Sequence, residues 1–101
     1  MRIKAIEFPF DPTAELDFLF KWVRWCAPVG DTVVSYALTC DPGLLVFSSS
    51  LGGNIVTAWV KLDPANLPTI GQRPQVHCSI VTSSIPPRKD RRSCELVIVP
   101  R

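Results

Sequence analysis

The sequence predicts an all-β fold, an Ig-like antiparallel β-sandwich of six to seven strands. Three observations predict it: apolar residues alternate along several short segments, tight turns join those segments, and the 10 prolines of the 101-residue chain fall between them. Successive side chains of a strand point to opposite faces, so alternation indicates strands with one buried face. Proline cannot donate a ladder hydrogen bond and therefore marks strand ends and loops. The hydrophobic fraction of 47% is enough for one core.

The segment from Thr32 to Leu62 predicts three consecutive strands. One face of the first carries Val34, Tyr36, Leu38 and Cys40. Asp41-Pro42-Gly43 turns the chain back, because proline presets φ and glycine accepts a positive φ. A second turn, Gly52-Gly53-Asn54, leads into IVTAWVKL. Strands joined by such short turns must be antiparallel, because a parallel crossover needs about a dozen residues or more.

Residues 1–12 are predicted to form an N-terminal arm, followed by a single β-sandwich domain at residues 13–101. Pro9 and Pro12 prevent a continuous helix or a central strand in the arm. Phe8 and Phe10 make it apolar, and exposed apolar surface of this kind lowers solubility. The arm is therefore expected either to lie along its own sheet edge or to dock on a neighbouring subunit.

The segment from Glu15 to Val23 is predicted to be the first full strand. Phe18, Phe20 and Trp22 alternate with polar or smaller residues. A helix also fits, because apolar residues recur at the helical spacing from Leu16 to Val23. Aromatic enrichment and the β-rich surroundings favour the strand. Residues 23–25 are expected to continue the strand or to form a bulge in it, and residues 26–31 to form a turn.

The second half of the chain predicts a long loop and a final pair of strands. Asp63 to Gln75 contains three prolines and is too irregular for a strand. Its apolar residues, Leu67 and Ile70, are expected either to plug the open end of the sandwich or to contact a partner. The strands are predicted at residues 76–85 and 93–99, with a basic loop from Pro86 to Arg92 between them.

That basic loop concentrates the charge of a chain whose net charge is only +2. Its cations are Arg88, Lys89, Arg91 and Arg92, set against Asp90. Such a loop can meet phosphate or an acidic protein surface. It can equally be a solvated hairpin tip that keeps a sheet edge soluble. Because no aromatic residue is interleaved to stack on bases, nucleic acid is not favoured as a partner.

The sequence offers no convergent set of catalytic, metal-binding or cofactor-binding residues. His77, the single histidine, lies beside Cys78 in a strand, and adjacent strand residues point to opposite faces, so the two cannot form a nucleophilic dyad. A triad with a serine and an aspartate has no supporting motif. We therefore expect no enzyme, no cofactor and no metal, and His77 is expected to be a surface or half-buried sheet residue.

The four cysteines and the apolar segments bear on the compartment. Cys26, Cys40, Cys78 and Cys94 have neither CxxC nor zinc-site spacing. Reduced thiols are favoured over two disulfides, because the N-terminal residues lack the apolar core of a secretory signal. No apolar stretch approaches the length of a membrane span, so no membrane association is expected.

The order of several short motifs resembles a family of small bacteriophage proteins, the fiber–tail adaptors. The first motifs in this order are Asp11-Pro12, Leu16-Asp17-Phe18, the tryptophans Trp22 and Trp25, and Gly30-Asp31-Thr32-Val33. The likeness continues through residues 43–50, the tryptophan strand at residues 55–60, and two final strands around a charged hairpin. It spans about residues 11 to 99, and the order of the pieces carries it rather than any single motif.

This resemblance implies a virion structural protein that links tail and fiber components through protein–protein contacts. It implies symmetric copies of an Ig-like sandwich, located in the virion and assembled in the host cytoplasm, with tail, fiber or head proteins as partners. The residues expected to contact partners are Phe8 and Phe10 in the arm, Leu67 and Ile70 in the long loop, and Arg88, Lys89, Arg91 and Arg92 for charge steering. The alternatives are a capsid cement or decoration protein, a secreted Ig-like binding module with two disulfides, and a nucleic-acid-binding protein.

Overall fold

The computed structural model describes residues 4–100, which form seven strands and one short helix. The strands are β1 (Lys4–Pro9), β2 (Glu15–Lys21), β3 (Val33–Cys40), β4 (Leu44–Gly52), β5 (Ile55–Leu62), β6 (Gln75–Thr82) and β7 (Lys89–Val99). A four-stranded sheet with the order β1-β7-β6-β3 packs on a three-stranded sheet with the order β2-β5-β4. The all-β sandwich is confirmed, and its Ig-like character remains a prediction. Residues 1–3 of the predicted arm and residue 101 lie outside the described residues.

The core lies between the two sheets, where β5 and β6 follow the predicted alternation. The buried residues of β5 are Val56, Ala58, Val60 and Leu62, and those of β6 are Val76, Cys78, Ile80 and Thr82. Both strands are central in their sheets, so one face of each meets the opposite sheet along its whole length. Strict alternation is therefore the expected pattern for them.

β2 confirms the strand predicted near residue 15, but the chain does not continue or bulge after it. It turns instead into a short helix, α1 (Val23–Cys26), and a 3-10 turn, Ala27–Val29. The amide of Trp22 still donates to the carbonyl of Asn54 at the end of the β2–β5 ladder, and the amide of Cys26 then donates to the carbonyl of Trp22. Trp22 and Cys26 are both fully buried. One helical turn keeps them about 6 Å apart along the chain axis, whereas a continued strand would carry Cys26 about 13 Å further along the sheet.

β3 departs from the predicted face at its first residues. A register shift between Val33 and Ser35 marks a bulge, which leaves Val33 4% exposed and Val34 56% exposed. The extra residue of a bulge changes which side chains face inward. Val34 was predicted to share a face with Tyr36, and that prediction is wrong, whereas Tyr36 itself packs against the core.

β1 shows that the arm lies along its own sheet. It pairs with β7 in parallel, from Lys4 opposite Cys94 to Pro9 opposite Val99. The other pairings are antiparallel, as predicted. Strands joined by a short turn must pair antiparallel. This does not apply to β1, because the next strand, β2, belongs to the other sheet and no short turn joins β1 to β7.

The charged hairpin is shorter than the sequence predicts. β7 begins at Lys89 and pairs with β6 from there, with Val81 opposite Lys89. The turn therefore occupies residues 83–88, and the cations from Lys89 to Arg92 lie in a strand rather than in a loop. The loop predicted from Pro86 to Arg92 is wrong in its extent, because contacts to the tryptophans around α1 hold these residues in the sandwich.

Candidate partner-binding surfaces

The two phenylalanines of the arm belong to the core of this chain. Phe8 is fully buried, and its ring centre lies 6.3 Å from that of Phe18 in β2. Phe10 is half-buried and packs against the same core. The arm therefore lies along the edge of its own sheet, which is the first of the two predicted alternatives. Phe8 presents no surface to a neighbouring subunit.

The long loop after β5 is fastened by its prolines and backbone rather than by its apolar tips. Pro68 is buried against Gly43. A Cβ atom added to Gly43 would lie only 3.1 Å from the Cβ atom of Pro68, so the glycine allows this close contact. The amide of Gly71 donates to the carbonyl of Ile98 at 2.8 Å. Leu67 and Ile70 remain 45% and 55% exposed, so they do not plug the sandwich and stay accessible for contacts.

Two of the four predicted basic residues are anchored to tryptophans. The Cζ atom of Arg88 lies 3.8 Å from the ring centre of Trp25, and the Cζ atom of Arg92 lies 4.9 Å from that of Trp22. Arg92 also donates to the carbonyl of Lys21 and to Asp90, which accepts a 2.9 Å hydrogen bond from the Trp22 indole. Arg92 therefore joins β7 to β2, and Arg88 joins the turn before β7 to α1.

Asp31 is the buried anion of this cluster, with a side chain only 1% exposed. Its carboxylate accepts hydrogen bonds from the Thr32 amide at 3.0 Å and from the Ser83 hydroxyl at 3.3 Å, and Arg88 lies 3.4 Å away. Burial alone raises the pKa of Asp31, but hydrogen bonds from Ser84, Thr82, the Thr32 amide and Ser83 outweigh it and lower the pKa to about 2. A carboxylate held in this way is structural.

Lys89 and Arg91 point the other way, to the outer face of the four-stranded sheet. They alternate with Asp90 and Arg92, whose side chains meet Trp22 on the inner side. Both are exposed, and no carboxylate of residues 4–100 lies within ion-pair distance of either. Half of the predicted basic set is therefore available to steer a partner.

A surface that the sequence analysis did not select covers the outer face of the three-stranded sheet. It consists of exposed apolar side chains from three strands, and we call it the outer apolar face: Leu19 of β2, Leu45 and Phe47 of β4, and Trp59 of β5. A bulge between Val46 and Ser48 gives Phe47 its place there, where the Nζ atom of Lys61 lies 5.3 Å from its ring centre. The signal was present in IVTAWVKL, where the tryptophan is out of phase with the four buried residues.

His77 is satisfied by two neighbours on the outer side of β6. Its Nδ1 atom lies 2.7 Å from the Ser93 hydroxyl, and its Nε2 atom lies 3.3 Å from a carboxylate oxygen of Asp41. This confirms the half-buried histidine of the prediction. The three residues have the composition of a hydrolase triad. In such a triad, a buried aspartate orients the histidine, which activates a serine in a cleft. Here the histidine lies on the outer face of a sheet, which provides no such cleft. Within residues 4–100 there is also no cluster of potential metal ligands.

The cysteines carry thiols rather than disulfides, and all four lie within the described residues. Burial raises the pKa of Cys78 to about 12 and raises those of Cys26 and Cys40. Fully buried thiols such as those of Cys26 and Cys78 are inert. The secreted-module alternative required two disulfides, so this finding counts against it. Across residues 4–100, no helix is both long and apolar enough to span a membrane.

Comparison with known proteins identifies one family. A family model described as podophage GP4 fiber-tail adaptor protein gp77 matches residues 11–97 of the chain. Searches of curated proteins and of solved structures found no significant match. The family match covers most of the chain and agrees with the resemblance drawn from the order of the motifs. The chain therefore belongs to the podophage GP4 fiber-tail adaptor family.

Proposed function

We propose that this chain is a virion structural protein that links tail and fiber components through protein–protein contacts, without enzymatic activity. The outer apolar face is the observation that carries the proposal. Exposed Trp59 stands on the central strand of its sheet, with Leu19 and Phe47 on the strands to either side. Contiguous exposed apolar surface of this kind marks protein–protein contact sites, and tryptophan is enriched among the residues that dominate binding energy.

A linking protein also needs a second surface that is separate from the first. Lys89 and Arg91 lie on the outer face of the other sheet, so the two candidate surfaces are on opposite sides of the sandwich. Their chemistry differs: one surface is apolar, and the other suits an acidic partner. Leu67 and Ile70 in the loop after β5 add a third exposed contact.

The rest of the proposal follows from this assignment. An adaptor in a symmetric particle is present in several copies, which makes copies of the same chain additional partners. Assembly in the host cytoplasm agrees with the reduced state of the four cysteines.

The test measures binding of the purified chain to separately purified tail and fiber proteins of its phage. Trp59→Ala should weaken binding to one component by about fivefold or more, because truncating a central aromatic anchor costs over about 1 kcal/mol. Lys89→Glu with Arg91→Glu should slow association with the other component. Thr57→Ala, on the same strand and face as Trp59, and Arg24→Glu, an exposed charge on α1, serve as matched controls.

If neither Trp59→Ala nor the combined Lys89→Glu and Arg91→Glu change affects binding to either component, the proposed surfaces are wrong. If both surfaces bind only a capsid protein, the decoration-protein alternative replaces the adaptor function.

A further inference from the structure

The strand β2 is an open edge of the three-stranded sheet. It pairs with β5 on one side, and no strand of residues 4–100 pairs with its other side. An open groove of about 740 Å³ runs along this edge, lined by residues 17–21 on one wall and by Ile6, Asp90 and residues 92–94 on the other. No strand in the described part of the chain covers this edge, and Arg92 reaches across it to the carbonyl of Lys21.

Backbone polar groups point out of this edge. The Trp22 amide donates to Asn54 of the β5 side at 2.9 Å, so in an antiparallel ladder the groups of Phe20 and Phe18 also face β5. The groups of Asp17, Leu19 and Lys21 then face away from β5. The carbonyl of Lys21 accepts from Arg92 across the groove, in agreement with this assignment.

The other three edge strands are protected in ways that β2 is not. β1 has six residues and ends at Pro9. β3 and β4 each contain a bulge, and Tyr36 of β3 hydrogen-bonds Ser49 of β4 at 2.9 Å across their shared margin. Short length, proline and bulges are common means of preventing edge pairing. β2 pairs with β5 in unbroken register over seven residues and contains neither proline nor bulge.

The charges along β2 favour a second copy of the same strand as its occupant. The side chains on the outer side begin with the acidic Glu15 and Asp17 and end with the basic Lys21. An antiparallel copy centred on Phe18 places Glu15 opposite Lys21 of the second copy at both ends. The same register sets Asp17 opposite Leu19, the two residues whose backbone groups face the open edge. A parallel copy would set like charges side by side, which is destabilising.

We propose that two copies of this chain associate through antiparallel pairing of their β2 strands, which joins their three-stranded sheets into one. Asp17 and Leu19 of each copy exchange backbone hydrogen bonds with those of the other copy, and the Glu15–Lys21 pairs fix direction and register. This pairing deepens the multiple-copy part of the proposed function. It is tested on the isolated chain, so its failure leaves the docking tests with tail and fiber proteins unaffected.

The experiment measures native mass by sedimentation equilibrium over a range of concentrations. The wild-type chain should approach twice its 11.2 kDa mass as concentration rises. Leu19→Pro removes an edge-facing amide without removing a β2–β5 bond, so it should fold and remain a monomer. Far-UV circular dichroism verifies its fold. Thr57→Ala, in the neighbouring central strand, serves as the variant that should still dimerise.

Charge reversal tests the direction of pairing. Glu15→Lys and Lys21→Glu should each raise the dimer dissociation constant by about tenfold, because each places like charges opposite one another twice. An equimolar mixture of the two variants, and the double variant, should both restore association, because opposite charges then face one another again. A wild-type chain that stays monomeric, or a Leu19→Pro chain that dimerises like wild type, would overturn the proposal. Loss of fiber or tail binding by a monomeric Leu19→Pro chain, but not by Leu19→Ala, which removes the side chain of the outer apolar face and keeps the edge amide, would assign the edge to a foreign strand instead.

Discussion

The guanidinium of Arg88 stacks on the ring of Trp25, with 3.8 Å between the Cζ atom and the ring centre. The same side chain lies 3.4 Å from the buried carboxylate of Asp31. Arg88 is the last residue of the turn before β7, Trp25 lies in α1, and Asp31 precedes β3. One side chain therefore holds three segments that are distant in sequence, and the segment predicted as a free basic loop is part of the scaffold.

Arg88→Ala should lower the free energy of unfolding by about 1–2 kcal/mol, because it removes a cation–π contact and an ion pair that is partly exposed. Urea unfolding followed by tryptophan fluorescence measures this change. Arg91→Ala is the matched control, because it removes an exposed guanidinium close to Arg88 in the sequence. It should change the free energy of unfolding by less than about 0.5 kcal/mol. Equal effects of the two changes would show that the stacking on Trp25 contributes nothing.

Asp31 should make stability depend on pH in the acid range. Its pKa is lowered from 3.8 to about 2 in the folded chain, so the fold favours the carboxylate over the acid. This contribution is fully present above about pH 4, and it is lost as the pH falls through about 2. Asp31→Asn should flatten the fall in unfolding free energy between these pH values in urea titrations.

Ser83→Ala provides the second variant for this pH dependence. It removes a hydroxyl that donates to the Asp31 carboxylate at 3.3 Å, so the folded-state pKa of Asp31 should rise, and the acid-induced loss should be smaller and end at a higher pH than in the wild type. An Asp31→Asn chain with the same pH dependence as the wild type would mean that another group is responsible.

Alternation and turn chemistry predicted most of the fold because they report on local geometry. β5 and β6 are central strands covered by the opposite sheet, and their buried residues follow the sequence period without a break. The departures occur where tertiary contacts override that period. Val34 is turned outward by a bulge, and the residues after Trp22 form a helical turn that buries Trp22 and Cys26 one turn apart.

The candidate surfaces were harder to predict than the strands, because an apolar residue in the sequence can be either a core residue or a docking residue. Phe8 and Phe10 looked available in an arm broken by prolines, but a parallel pairing with β7 places Phe8 inside the sandwich. Such long-range pairing leaves no local signature. Trp59 stood in an apolar strand typical of a core, and only the phase of that strand indicated the outer face.

Phe8→Ala should therefore act on stability. Truncating a fully buried phenylalanine costs about 3–5 kcal/mol, while half-buried Phe10 should cost clearly less. Urea unfolding of the two single variants makes the comparison. If Phe8→Ala keeps wild-type stability but lowers the number of copies bound in the particle, the arm docks on a neighbour and the packing in β1 is wrong.

The thiols should be protected by the fold and become reactive only on unfolding. Three of them, Cys26, Cys78 and Cys94, are buried, and burial raises the pKa of Cys78 to about 12. At about pH 8 this thiol holds almost no thiolate, which is the form that attacks a disulfide reagent. Cys40 is half-buried, so it should react first with Ellman's reagent in the native chain, and Cys40→Ser should remove that early phase. In concentrated urea all four should react at once. An unfolded chain with no reactive thiols would instead contain disulfides, and the assignment of assembly to a reducing compartment would be wrong.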